Sequence, residues 1–306
     1  MGPARVWRSV DDFSDGDITW ILDRAEQHRA GALVRSTPSG VQPVVGLLFL
    51  EASLRTRTGF TAAAVRLGFG PVTVVQQRQS EISMAESVGH TLRTLSGYCD
   101  VIVARMPRPL SGDAVPEGLR CPVVSGGDRG EAGGMAGGAA GEHPTQALID
   151  LFALRTEFGA VQGLKLVVCG DPKMRSVTSL LPALVRLGVG SIALLTTDSL
   201  LEGLDLPPEV RPHVSVIHDW ADAAAADVIY VAGIPHQAVP LVDRDRLRVT
   251  PESLSLLSDR CVVTSPLPVI DEIDPAAWPD RRIRAFEHSD DALFVRMAVL
   301  EFALPH

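Results

Sequence analysis

PVVGLLFLEASLRTRTGFTAAAVRLG, residues 43–68, holds in one stretch the unit from which the chain is built. Its first nine residues are a short, almost unbroken aliphatic run that ends at Glu51. A polar turn follows, and a helix is expected to begin near Thr58. A run without polar alternation is what a parallel strand looks like when both its faces are covered. The same kind of run returns at 71–75, 99–106, 121–125, 164–170, 191–197, 214–220, 227–233 and 260–266, with helical stretches between. The implied class is α/β, with two domains, each a central parallel sheet flanked by helices.

A length of 306 residues exceeds what one core usually organises. The division is expected in the helix after His143. Residues 1–145 would form one domain, completed by a C-terminal helix over 287–306, and residues 146–286 the other. Between them GGDRGEAGGMAGGAAG, 126–141, has little to bury and reads as a mobile loop. It leads directly into His143, so a lid and a slack insertion are both open readings.

Composition narrows the function. A formal net charge of −9 argues against a broad nucleic-acid or anionic-membrane surface. An anionic substrate would have to be drawn in by a local cluster of arginines. Cys99, Cys121, Cys169 and Cys261 lie far apart in apolar runs, which suggests buried thiols rather than a zinc site or a disulfide framework. No apolar leader or membrane-length run is evident, so a soluble, cytoplasmic protein is expected. Lysine occurs only at Lys165 and Lys173, which leaves two candidates for any lysine-dependent step.

Two segments carry chemistry. In the first, Ser53, Arg55 and Thr56 fall where a strand ends and a helix starts, and there helix N–H groups and the helix dipole favour an anion. Hydroxyls and a guanidinium add directed donors for phosphate oxygens. No Walker A loop or dinucleotide fingerprint is present. The same residues also fit an ordinary helix start with solvent-facing arginines. In the second, GEHPTQALIDLF over 141–152, Pro144 suits a first helical turn. His143 would stand at the helix mouth, its neutral form favoured, able to donate one hydrogen bond to a carbonyl oxygen. Gln146, a turn further on, could reach an amide. A capping histidine is the plainer alternative.

Taken together the segments resemble the aspartate/ornithine carbamoyltransferase family. Its F-x-E-x-S-T-R-T-R-x-S-F signature reads FLEASLRTRTGF here, and its H-P-x-Q-x-L-x-D signature is intact as HPTQALID. In the same order VIVARMP, GDPKMRSVTSL, SPLPVIDEI and RMAVLEFAL are similar to further family segments. The resemblance implies two α/β domains, a homotrimer with sites at subunit boundaries, and carbamoyl transfer from carbamoyl phosphate to an amine. It assigns carbamoyl phosphate to Ser53, Leu54, Arg55, Thr56, Arg105, His143 and Gln146, with Arg55, Thr56 and His143 as the catalytic set. It assigns the acceptor to Arg175, Pro266 and Leu267. It implies no metal and no organic cofactor.

The departures concern mainly the acceptor. Leu54 replaces a threonine in the phosphate loop. In SEISMAESVGHTLRTL, 80–95, Met84 stands where the aspartate branch has a lysine and His90 where the family has an aspartate. The aspartate branch's R-x-Q becomes Gly233-Ile234-Pro235, with His236 and Gln237 just beyond. The ornithine branch's S-M-G run is missing, and its H-C-L-P is SPLP. The expected activity is therefore carbamoyl transfer to an amine other than aspartate or ornithine. An aspartate carbamoyltransferase of pyrimidine biosynthesis and a catalytically inactive or repurposed homologue are the alternatives.

Overall fold

The computed structural model describes residues 4–31, 41–75, 87–110, 115–128, 141–235 and 239–304. The chain divides into two compact units, one formed by Met1–Glu131, Gly141–Leu148 and Asp291–His306, the other dominated by Ile149–Asp290. Each is built on a five-stranded sheet flanked by helices, and every strand pairing described is parallel. The fold is two-domain α/β, as the alternation of apolar runs and helical stretches implies.

In the first unit the strands are β1 (Val6–Trp7), β2 (Val44–Phe49), β3 (Gly70–Val75), β4 (Val101–Arg105) and β5 (Val123–Ser125). Their spatial order is β1-β5-β4-β2-β3. Helices α1 (Asp15–Arg29), α2 (Leu54–Arg66) and α3 (Val88–Leu95) lie between them in sequence. Leu47 and Leu48 point to opposite faces of β2, yet both are 0% exposed, so this strand is covered on both sides. Burying such a side chain stabilises by roughly 1.5–3 kcal/mol. Edge strand β3 differs, with Val72 and Val75 exposed. β1 has no counterpart among the expected strands, because two residues are too few to register as an apolar run.

In the second unit the strands are β6 (Lys165–Cys169), β7 (Ser191–Leu195), β8 (Val214–Ile217), β9 (Val228–Val231) and β10 (Val262–Thr264), in the order β10-β9-β6-β7-β8. Helix α4 (Pro144–Phe158) leads into this unit, and α5 (Arg175–Arg186) follows β6. Shorter helices α6 (Asp198–Leu201), α7 (Leu241–Leu247) and α8 (Pro251–Ser255) follow, before α9 (Ala285–Ala303) closes the chain. Its core gathers Val167, Ile229, Val231 and Val263 with Trp220, Leu247 and Leu254. All four cysteines are buried free thiols. No helix among the described residues is long and apolar enough to cross a membrane.

Both sheets share one topological feature. From β2 the chain steps to β3 on one side and later to β4 on the other. From β6 it steps to β7 and later to β9. At such a switch the connections leave in opposite directions, and a crevice opens at the strands' carboxyl ends.

Candidate functional site

The crevice of the first unit lies beyond the paired ends Phe49 of β2 and Arg105 of β4. Helix α2 starts at Leu54, four residues earlier than the apolar pattern suggests, so Arg55 and Thr56 belong to its first turn. Ser53 is the N-cap, in extended conformation at φ −155°, and its side chain makes no capping hydrogen bond. The hydroxyl is therefore not committed to its own helix. Leu54 is 74% exposed, so its side chain supports no packing and its position in the first turn is what it contributes. Arg55 is exposed and Thr56 buried.

Thr56 Oγ1 lies 3.5 Å from His143 Nε2, across 87 residues of sequence. His143 is buried and immediately precedes α4. Its Nδ1 accepts a hydrogen bond from the Gln146 backbone N–H at 3.3 Å and lies 3.4 Å from Thr145 Oγ1. An acceptor Nδ1 places the proton of the neutral ring on Nε2, the nitrogen that faces Thr56. The backbone of α4 thus selects the tautomer, and Nε2–H becomes a donor. Gln146 is half-buried in the first turn of the same helix.

Arg105 is buried at the end of β4. It donates from Nη1 to the Gly126 carbonyl at 3.2 Å, and its Nε lies 3.9 Å from Glu51 Oε2. Gly126 and Gly127 run through the middle of this group. A Cβ on Gly126 would lie 3.4 Å from Thr56 Cγ2. A Cβ on Gly127 would lie 2.7 Å from His143 Cδ2 and 2.8 Å from Arg105 Nη1, and Gly127 has φ +101°. Only glycine fits there without strain. Asp128 follows, 1% exposed, accepting from the Met106 and Leu110 N–H groups. Burial pushes its carboxyl up to about 6, against the pull of those hydrogen bonds, one from Ser125 and the charge of Arg105.

The sequence alone does not point to Gly127 or Asp128, because they open a Gly/Ala tract that reads as one slack loop. The signal was the Gly-Gly-Asp directly after a strand. Residues 129–140 of that tract lie outside the described residues, as do Met84, His236 and Gln237. His90 is described; it is exposed in the first turn of α3, with Ser87 as N-cap.

The second unit carries the remaining candidates. Arg175 is half-buried as the first residue of α5. Pro266 and Leu267 follow β10. Leu267 has φ 57°, its N–H donates to Ser265 Oγ, and a cis peptide joins it to Pro268. Gly233 follows β9, and a Cβ there would lie 3.4 Å from Met174 Cε and 3.9 Å from Glu272 Oε1. The buried Glu272 carboxylate accepts from the N–H groups of Ile234, Ile270 and Asp271. The segments beside Arg175 and Gly233 also meet directly, the Asp171 N–H donating to the Gly233 carbonyl. Arg175 and Gly233 therefore belong to one neighbourhood at the β6/β9 switch.

The comparisons with known proteins identify the family. Residues 5–156 match the family model described as aspartate/ornithine carbamoyltransferase, carbamoyl-P binding domain. The chain is 32% identical over 299 residues to the aspartate carbamoyltransferase catalytic subunit of Archaeoglobus fulgidus, covering 95% of this chain and 96% of that one. It is 31% identical to the corresponding subunit of Methanocorpusculum labreanum over 306 residues, 95% of each chain. Among solved structures, aspartate transcarbamoylase from Trypanosoma cruzi in complex with phosphate superposes with a TM-score of 0.83 at 28% identity, covering 99% and 96% of the two chains. The catalytic subunit of M. jannaschii aspartate transcarbamoylase gives 0.82 at 26% identity, covering 97% of each.

Proposed function

The chain belongs to the aspartate/ornithine carbamoyltransferase family and is a carbamoyltransferase, and from that premise we propose that its acceptor is aspartate. The observation that carries this reading is the near full-length likeness to aspartate carbamoyltransferase catalytic subunits. It favours aspartate over the non-standard amine expected from the departures in sequence.

In this reading the first unit takes carbamoyl phosphate. Ser53, Arg55, Thr56 and the N–H groups of the α2 turn, Leu54 included, hold the phosphate with Arg105. The Nε2–H of His143, with Arg55 and Thr56, donates to the carbamoyl oxygen, and Gln146 binds the carbamoyl amide. Arg175, Pro266 and Leu267 in the second unit take the acceptor. Its amine attacks the carbamoyl carbon, the new C–N bond forms, the C–O bond to phosphate breaks, and the departing phosphate takes up the proton that the amine loses. The donors need not move while charge builds on the oxygen, and such preorganisation is usually the largest contribution to rate. A homotrimer in the cytoplasm belongs to the same proposal and rests on the family resemblance.

A second acceptor class has one observation in its favour. Gly233-Ile234-Pro235 offers no side-chain cation where the aspartate branch has R-x-Q, and the buried Glu272 carboxylate lies beside Gly233. Losing a bidentate arginine from a desolvated carboxylate costs several-fold to many-fold in affinity. One experiment separates the readings: phosphate release from carbamoyl phosphate with aspartate, ornithine and a panel of other amines. Turnover with aspartate at ordinary efficiency supports the proposal, and turnover only with another amine replaces it. No release with any amine, together with no calorimetric binding of carbamoyl phosphate, leaves an inactive homologue. Arg55→Ala should lower carbamoyl-phosphate affinity by at least about a hundredfold while leaving the circular dichroism unchanged.

A further inference from the structure

Arg296, on α9, is 7% exposed, and its Nε is buried without a hydrogen-bond partner. No ion pair or hydrogen bond to a described residue holds it. Its guanidinium lies instead against the backbone of α2. A Cβ on Gly59 would meet Nη1 at 2.5 Å, Cζ at 2.7 Å and Nε at 2.8 Å, and the Phe60 ring lies 5.9 Å from Cζ. Gly59 stands four residues after Arg55, on the same face of the helix and one turn deeper.

This arrangement has an unusual charge balance. A buried guanidinium without a counter-ion is costly, and that cost normally excludes one from an interior. Here the charge that perturbs it has the same sign. Burial, and after it the charge of Arg55, push Arg296 down to about 10. The helix end that both arginines serve is itself the positive end of a dipole. Two cations thus lie along the first two turns of a helix whose N-terminus is itself positive, and Glu51 is the acidic side chain nearest to that end in sequence. The phenyl ring is a poor substitute for a counter-ion, since an arginine near 6 Å from a ring gains little.

We propose that Arg296 is a supporting cation of the anion site: from behind the first turns of α2 it raises the positive potential at Ser53–Thr56, and the phosphate bound there supplies its counter-charge. The inference rests on the reading of the α2 turn as the phosphate site, and it adds a residue that would not touch the ligand. Arg296 is thus a positioning residue. Its fit against Gly59 also explains a glycine in the interior of a helix, where alanine is normally preferred.

The test is calorimetric titration with inorganic phosphate, alongside thermal unfolding, for wild type, Arg296→Met and Gly59→Ala, with Arg55→Ala as control. Methionine fills the space without charge, and replacing a buried unpaired charge by an apolar side chain is neutral or stabilising. Arg296→Met should therefore melt at or above the wild-type temperature and bind phosphate about tenfold more weakly, the effect of one unit charge lost several ångströms away. Gly59→Ala should also weaken phosphate binding by displacing the guanidinium, and that loss should vanish in the Arg296→Met background. A structural role alone predicts the reverse pattern, lower melting and unchanged affinity. Arg296→Met that fails to fold, or that binds phosphate as wild type does, overturns the inference; so does Gly59→Ala with unaltered affinity. If Arg55→Ala also binds phosphate normally, the phosphate site itself is misplaced, whereas loss in Arg55→Ala with none in Arg296→Met removes Arg296 alone.

Discussion

His143 Nε2 stands 3.5 Å from Thr56 Oγ1, while the N–H of Gln146 holds the opposite ring nitrogen as an acceptor. The first distance joins two helix N-termini, and the second hydrogen bond selects which nitrogen carries the proton. Backbone geometry thereby aims a ring nitrogen of His143 at the first turn of α2.

His143→Ala removes that donor and should lower kcat by about 10²–10³-fold, the usual loss for one oxyanion donor. Phosphate affinity should change much less, because the phosphate contacts proposed for the α2 turn remain. Steady-state kinetics with phosphate inhibition constants checks both. A kcat within a few-fold of wild type would remove His143 from the proposed catalytic set.

Gly127→Ala puts a methyl group between the His143 ring and the Arg105 guanidinium, at a backbone angle that L-residues rarely adopt. Stability should fall by roughly 1–3 kcal/mol from strain at that φ. Carbamoyl-phosphate KM should rise at the same time, because both flanking side chains must move. Urea unfolding and initial rates measure the two effects, and a variant with normal KM would show that the contact has slack.

Asp128 has its carboxyl raised, chiefly by burial, to about 6 in the fold. The folded state holds this proton more tightly than the unfolded chain, so the contribution to stability is full below about pH 4 and is lost as pH rises through about 6. The difference in unfolding free energy between wild type and Asp128→Asn should therefore fall by on the order of 2 kcal/mol across that window. A flat difference from acid to neutral pH would count against the raised value.

Glu301 shows the opposite sign. Burial alone would raise its carboxyl, but hydrogen bonds and charges from His28 and Arg24 outweigh it and hold it at about 2. Its contribution is present above the ordinary carboxylate range and is lost as pH falls through about 2. Glu301→Gln should destabilise at neutral pH by about 2 kcal/mol, with the gap to wild type closing in strong acid. Denaturant unfolding at a series of acid pH values tests it.

The local pattern of residues was sufficient for the α/β class and for nine of the described strands, because short aliphatic runs and helical stretches report burial over a few residues. Ordered motifs named Ser53, Arg55, Thr56, Arg105, His143 and Gln146 as candidates, and of these the fold brings Thr56, Arg105 and His143 together around Gly126 and Gly127. The order of strands was decided only in three dimensions, and that order is what lays the ends of β2 and β4 side by side. The start of α2 at Leu54, the two-residue β1, and the wedge of Gly127 between Arg105 and His143 also came from packing. Arg296 is the clearest case. In sequence it is one polar residue within the apolar stretch of a closing helix, and only tertiary contact places its charge behind Gly59. Periodicity records which face of a helix is buried, whereas the partner across that face depends on contacts hundreds of residues apart.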